Sequence, residues 1–434
     1  MSRSRRGAAA LCSIVAAVGL VAAGCSNSTN DTSSGSNAAP GVTATQINVG
    51  SIANVTGPLS SDFAPVVNGV EAYFSMVNAA GGVDGRKLKL AYQTDDQGSS
   101  STDLTVAQKL VEQDHVFAVV GVGTPFFGGA RYLASQGTPT FGYVVSADWQ
   151  YKPTVFGAFG SLLAYNTGVP ADAYVATQLG AKSIAVIAYN VPQSAAACQA
   201  AVTGMRQFGL NVSYVDLNFP FGSDPTADVL QMKNHNVDLM YTCLDVTGNV
   251  AFARAIQQNG LTMHQVWFSG YDRGTLQQYG SLMTGVYLLV QHVPFEAALA
   301  FPGVYPALDT YIKEMQKYQP AFTYDEVAMT GWISAQEFVT GLKMVKGKLT
   351  QKKLVAAFNS ETAYTGGLQP PVDWAGGKDV SAHWAAIPPY CASYVEVQNG
   401  QFVPAFVQGQ HSVFVCFNLK SDNPIPPNPV TPGA

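Results

Sequence analysis

The sequence predicts an α/β protein built as two doubly wound lobes with mostly parallel sheets. Three observations carry this. From Gln46 to Ser269, short apolar or alternating runs take turns with runs whose apolar residues recur every three or four positions, the pattern of repeated βαβ units. An inner run such as Val116–Val120 is almost wholly apolar, as a strand covered on both faces must be. About 390 residues follow a polar N-terminal segment, enough for two separate cores.

Ile47–Ile52 alternates as a strand, and Thr56-Gly57-Pro58 breaks it. Ser60 or Ser61 is positioned to cap a helix with Phe63, Val66, Val67, Val70, Phe74 and Val77 on one face. Gly81-Gly82 ends it, and Asp84-Gly85 makes a turn into a second strand, Leu88–Tyr92. A helix with Leu104, Ala107, Leu110 and Val111 precedes the strand Val116–Val120. Farther on, strands are predicted at Ser183–Tyr189, Val212–Leu217, Val237–Cys243 and Val266–Ser269. Helices are predicted at Cys198–Phe208, Thr226–Asn234 and Val250–Asn259 between them. Asp309–Phe358 reads as mainly helical, and the Gly- and Pro-rich stretch Gly366–Pro371 precedes a β-like tail.

Apolar residues make up 47% of the chain and charged residues only 12%, about half the usual share. The net charge is −5, with no Lys/Arg cluster, so nucleic acid is not expected as a partner.

The N-terminus reads as an export signal. Arg3, Arg5 and Arg6 precede an apolar run from Ala8 to Ala23, too short for a comfortable permanent span. The run closes on Val21-Ala22-Ala23-Gly24-Cys25, which resembles a bacterial lipobox with Ala22 in place of the usual Leu. Cys25 is therefore the expected lipidation site, and an ordinary secretory signal is the alternative. Removing the three signal arginines makes the mature charge −5 − 3 = −8. The Ser-, Asn- and Thr-rich residues that follow cannot bury enough surface to order themselves. The expected division is a signal at 1–24, a flexible lipid-anchored linker at 25–45, lobe 1 at 46–160 plus 295–362, lobe 2 at 161–294 plus 363–420, and a Pro-rich tail at 421–434. The location is then outside the cytoplasm, on the outer face of the cell membrane.

Four cysteines remain in the mature fold: Cys198, Cys243, Cys391 and Cys416. An even number in an oxidising compartment suggests two disulfides. Three connectivities are possible. The local one, Cys198–Cys243 and Cys391–Cys416, is favoured because each pair sits within one region; four buried free thiols are the alternative.

Enzyme signatures are missing. There is no G-x-S-x-G, Walker G-x-x-x-x-G-K-[ST] or H-E-x-x-H. Gly121-x-Gly123 follows a strand, but Phe126 stands where a dinucleotide fingerprint needs its third Gly. The six histidines, His115, His235, His264, His292, His383 and His411, show no metal-ligand spacing. No enzyme activity, cofactor or metal is expected.

Several motifs together resemble one family. These are Thr56-Gly57-Pro58-Leu59, Ala79-Ala80-Gly81-Gly82-Val83-Asp84-Gly85-Arg86-Lys87-Leu88, Asp95-Asp96, Val119-Val120-Gly121, Gly137-Thr138-Pro139-Thr140-Phe141, and Gly366-Gly367-Leu368 through Asp373-Trp374-Ala375-Gly376-Gly377. Over about residues 46–380 the chain resembles the leucine/isoleucine/valine-binding proteins of ABC transporters, with the type I periplasmic binding fold. The resemblance implies two lobes joined by three hinge crossovers, near Phe156–Tyr165, Val290–Phe295 and Ala363–Gly367. A ligand would bind between lobes that close on it, and the loaded protein, a monomer, would dock on a membrane permease.

The residues expected to hold that ligand depart from the family pattern. Where the family has a Ser-rich carboxylate turn, this chain has Gly123-Thr124-Pro125-Phe126-Phe127; where it has a second hydroxyl turn, the chain has Tyr143-Val144-Val145-Ser146. Thr124 and Ser146 are the hydroxyls that could serve. The second-lobe aromatic falls near Asn190–Gln193 beside Tyr189, and the next family aromatic falls on Asp245. The acid that pairs with a ligand ammonium falls on Asp272, within Ser269-Gly270-Tyr271-Asp272. A helix N-cap is the alternative role for Asp272. The candidate ligand-binding set is Thr124, Phe126, Phe127, Tyr143, Val145, Ser146, Tyr189, Gln193, Asp245, Tyr271 and Asp272. Phe126, Phe127 and Tyr143 are bulkier than a small aliphatic amino acid needs, which suits a larger apolar or aromatic solute. The expected function is capture of such a solute for an ABC importer. A ligand-sensing lipoprotein of the same fold is the alternative, and an exported hydrolase a distant one.

Overall fold

The computed structural model describes residues 39–57, 59–150, 153–160, 170–321, 323–375 and 390–417. The expected signal, the expected lipidation site Cys25, most of the expected linker, the Pro-rich tail and part of the first expected crossover (161–165) lie outside them; the second and third, near Val290–Phe295 and Ala363–Gly367, lie within them.

Two sheets organise the chain. In the first, β1 (Gln46–Ala53) lies between β2 (Lys87–Asp95) and β3 (Val119–Val122). β4 (Thr140–Tyr143) and β5 (Val155–Ala158) extend it beyond β3, and every pair is parallel. In the second, β6 (Ile184–Tyr189) lies between β7 (Val212–Phe219) and β8 (Leu239–Cys243). β9 (His264–Trp267) and β10 (Val286–Val290) continue in parallel, while β11 (Tyr390–Gln398) and β12 (Gln401–Ala405) close the far edge antiparallel. β13 (Val415–Phe417) pairs with β11. In both sheets the strand order reverses beside the first strand, at β1/β3 and at β6/β8. A crevice opens past the strand C-termini at such a point.

The first sheet is flanked by α1 (Ser60–Phe63), α2 (Val66–Ala79), α3 (Ser100–Glu112) and α4 (Ala130–Ser135). The second carries α5 (Pro170–Gln178), α6 (Pro192–Gln207), α7 (Thr226–Asn234), α8 (Val246–Gln258) and α9 (Arg273–Met283). The chain then runs through α10 (Ala297–Ala300) back to the first sheet as α11 (Pro306–Tyr318), α12 (Glu326–Met344) and α13 (Gln351–Phe358). It returns to the second sheet for β11. Three segments thus pass between the sheets, and they bond to each other. The Phe159 N–H donates to Gln369 Oε1 at 3.3 Å, and the Val293 N–H donates to the Leu368 carbonyl at 2.8 Å.

Most predicted elements appear within a few residues of their expected ends. One differs in kind. The single helix expected from Ser60 or Ser61 is two helices, α1 and α2, separated at Ala64-Pro65, and neither serine caps it. Proline at the second helix's N-terminal end is compatible with a start but not with a continuous helix interior. At the end of α2 the chain turns through Gly82, whose φ is +84°; a Cβ there would sit 2.0 Å from the Arg86 carbonyl oxygen. Only glycine fits that close return.

The core of the first lobe is centred on α12, buried almost throughout from Glu326 to Leu342. Trp332 and Phe338 are almost completely enclosed, each contributing roughly 1.5–3 kcal/mol by burial. Among the described residues no helix is long and apolar enough to cross a membrane.

Both disulfides are the local ones expected: Cys198–Cys243 ties α6 to β8, and Cys391–Cys416 ties β11 to β13. The second closes a sequence separation of 25 residues and staples the β-tail onto the second sheet. C391S/C416S is expected to lower the melting midpoint by roughly 2–5 °C, from a loss of about 2–4 kcal/mol. Calorimetry checks it; an unchanged midpoint would show that the β11–β13 ladder holds without the bond.

Candidate functional site

A cavity of about 530 Å³ lies between the lobes, lined by the turns after β3, β4, β6, β8 and β9 and by the starts of α1 and α12. Of the residues expected to touch a ligand, Phe126, Tyr143, Val145, Tyr189, Gln193, Asp245, Tyr271 and Asp272 all line it. Thr124, Phe127 and Ser146 do not.

The reasons are local. Thr124 is fully buried, and its hydroxyl accepts the Phe126 N–H at 3.0 Å, closing the turn after β3. Ser146 is likewise buried; its hydroxyl donates to Asp148 Oδ2 at 3.0 Å and accepts the Asp148 N–H. Phe127 packs on Trp149 at 4.9 Å inside the lobe. A hydroxyl that closes its own turn is satisfied without a ligand.

On the second lobe, two aspartates begin helices. Asp245 Oδ1 accepts the Gly248 N–H at 2.8 Å and the Tyr189 hydroxyl at 2.5 Å. Asp272 Oδ1 accepts the Thr275 N–H at 2.7 Å. Asp272 therefore takes its alternative role as an N-cap, and it lines the cavity as well. Tyr189 stacks on Phe221 with ring centroids 3.8 Å apart, and burial, with Asp245 beside it, pushes the Tyr189 hydroxyl far up. Tyr271 lines the cavity but is structurally engaged. Its hydroxyl donates to Glu296 Oε2 at 2.5 Å and accepts the Phe295 N–H at 2.7 Å, and its ring stacks on Phe295.

Three acids that sequence reasoning missed complete the wall. Asp62 from α1 is pushed up to about 7, by burial first and then by Asp245 and Asp272. Asp325, the N-cap of α12, accepts the Ala328 N–H at 2.7 Å; burial pushes it up to about 8, with Asp272 and Asp62 adding to the rise. Glu326 is pushed up to about 8 by burial, against the Gln291 N–H that bonds it, with Asp325 raising it further. A burial that disfavours charge dominates in all three.

The lobes also touch directly. Gln193 Nε2 donates to the Pro125 carbonyl at 2.9 Å, linking α6 to the turn after β3. Asp272 and Asp325 form an antiparallel bridge between the loops before α9 and α12. The cavity is thus bounded at two places by lobe-to-lobe hydrogen bonds.

The comparisons with known proteins agree with this geometry. A family model described as periplasmic binding protein matches residues 46–386. No curated protein sequence matches. Among solved structures, a possible leucine/isoleucine/valine-binding protein from Rhodopirellula baltica aligns at 18% identity with a TM-score of 0.69, covering 85% of this chain and 98% of that one. A fatty acid ABC transporter substrate-binding protein from Thermomonospora curvata aligns at 16% identity and a TM-score of 0.69, covering 90% and 97%. A solute-binding protein of an ABC transporter from R. palustris, in complex with benzoate, aligns at 15% identity and 0.67, covering 87% and 99%. With two mainly parallel sheets, three passages between them and a cleft walled by the strand ends of both, the chain belongs to the periplasmic binding protein family.

Proposed function

We infer that this protein captures an amino-acid-like or other small hydrophobic or aromatic solute between its lobes and delivers it to an ABC importer. It acts outside the cytoplasm, as a monomer held to the membrane by a lipid on Cys25, and performs no bond chemistry. The observation that carries this reading is the interlobe cavity, whose wall draws Phe126 and Tyr143 from one sheet and Tyr189, Asp245 and Asp272 from the other. A solute touching both walls stabilises only the closed arrangement, and that difference drives closure. The aromatic side chains in the wall favour a solute with a flat or apolar body. The solved structures named above, a possible leucine/isoleucine/valine-binding protein, a fatty acid transporter component and a benzoate complex, support a fold that accommodates such bodies.

A thermal-shift screen of the purified full chain with both disulfides intact tests this. The panel holds branched and aromatic amino acids, their amides, aromatic acids, amines, fatty acids and polyols. A solute at 100 times its Kd adds about 2.7 kcal/mol, enough for a rise of several degrees. Gln193→Ala is expected to weaken the best hit a fewfold, since one link between the lobes is lost. Silence across the panel from a folded sample would sink the solute-capture reading.

A further inference from the structure

The cleft is more acidic than one ammonium group requires. Five carboxyl side chains line it: Asp62, Asp325 and Glu326 from the first lobe, Asp245 and Asp272 from the second. Among the described residues that line it there is no Lys, Arg or His. Arg273, next in the chain to Asp272, is turned to Glu296 at 3.6 Å and lies over the Tyr324 ring at 4.5 Å. Among the described residues nothing basic is therefore placed to meet a carboxylate on the solute. The two hydroxyls assigned to that task by the amino-acid resemblance, on Thr124 and Ser146, are buried in their own turns. Beside the acids stand the rings of Tyr189, Phe221, Tyr143, Phe126 and Tyr279, and aromatic faces also attract cations.

We propose that the cleft takes an organic amine of net positive charge with an aromatic or apolar body, in place of an anionic or zwitterionic solute. This rests on the solute-capture reading and specifies the charge of the ligand. Among the described residues no group of three or more acidic, His or Cys side chains is placed to hold a metal ion, which leaves an organic cation as the counter-charge. The groups that face each acid are themselves acidic or phenolic. Asp62 faces Asp245 and Asp272; Asp325 faces Asp272, Asp62 and the Tyr311 hydroxyl; Glu326 faces Asp325. A bound cation favours their ionised forms, so binding releases protons and tightens as pH rises from about 6 to about 8.5.

Titration calorimetry of the full chain with four indoles of one body and different charge tests the proposal: tryptamine, tryptophol, tryptophan and indole-3-propionate. Tryptamine is expected to bind at least tenfold tighter than tryptophol, with indole-3-propionate giving no measurable binding. Buffers of different ionisation enthalpy should reveal proton release with tryptamine alone. D272N and D325N keep a helix-capping oxygen while losing the charge. Each should weaken tryptamine at least tenfold and tryptophol far less, so that the preference for tryptamine over tryptophol collapses, while the melting midpoint is unchanged or, for D325N above neutral pH, raised. Binding of tryptophan or indole-3-propionate as tight as that of tryptamine would overturn the charge assignment and leave solute capture standing. No binding of any of the four also overturns it; solute capture itself falls only if the wider panel is silent too.

Discussion

Gly331→Val is expected to leave little or no folded protein. Gly331 of α12 and Gly69 of α2 face each other where the two helices cross. A Cβ on Gly331 would lie 1.8 Å from the Val66 carbonyl oxygen, and one on Gly69 would lie 1.8 Å from the Ala328 carbonyl oxygen. Both obstacles are backbone, so no rotamer change relieves them. The helices would have to separate, yet α12 is covered on its other sides by β3, β4, β5 and α13 and has nowhere to go. Overpacking a tight core usually costs about 1–3 kcal/mol, and a backbone clash with no escape lies at or beyond the upper end. The same crossing sets the cleft: α1 with Asp62 leads into α2, and Asp325 and Glu326 begin α12. A graded series, G331A then G331V with G69A beside them, is expected to show a stepwise fall in melting midpoint and in tryptamine binding. A G331V protein that melts with the parent would show that the helices are not in backbone contact there.

How much of this was legible in the sequence depends on the range of the interaction. Strand order and alternation come from local period and turn chemistry, which is why the βαβ runs, the helical 309–358 stretch and the β-tail were readable. The disulfides followed from chain proximity. The α1/α2 break was carried by Pro65, in plain view, but the apolar spacing through Phe63 and Val66 masked it. Asp245 and Asp272 were readable because each follows a strand at the end of a parallel sheet. Asp62, Asp325 and Glu326 were not, because only the packing of α2 against α12 brings residues 62 and 325 to one wall. A buried Asp N-cap before a long apolar helix, as in Asp325-Glu326, was the one local sign. Thr124 and Ser146 were the opposite case. Their residue types suit carboxylate binding, and only the turn geometry shows that their hydroxyls are spent on neighbouring backbone and on Asp148.

The protein is expected to be most stable in acidic solution and to lose stability as pH rises to about 8.5, the reverse of ordinary acid sensitivity. Five carboxyls carry this, four of them buried and Asp62 half-buried. Burial pushes Asp103 up to about 8, against the Gly129 N–H, which holds it at 2.7 Å, and with help from Asp96 and Asp148. Burial pushes Asp172 up to about 7, against hydrogen bonds from Tyr241 and Tyr394. Asp62, Asp325 and Glu326 in the cleft rise to about 7, 8 and 8. In the unfolded chain such groups ionise near pH 4. Between that value and the folded one, the folded state binds more protons, so stability falls with rising pH and levels off above about 8. A tenfold difference in proton affinity between the folded and unfolded chain corresponds to about 1.4 kcal/mol. At the acid end His292 acts the other way. Burial lowers it to about 4, so its neutral ring contributes stability that is lost as pH falls from the usual imidazole range through about 4. One imidazole opposes five carboxyls, so the net slope is already downward from about pH 4; the maximum should lie near pH 4, with the midpoint at pH 8.5 lower by roughly 5 °C or more. Scanning calorimetry across this range decides it, and a midpoint that is flat or rises toward the alkaline end would mean that these acids are not held neutral. D103N and D172N should flatten the profile in the apo protein. A saturating cationic solute should remove only the share due to Asp62, Asp325 and Glu326. The residual slope in the ligand-bound protein then belongs to Asp103 and Asp172, which separates the acids that serve the fold from those that face the cleft.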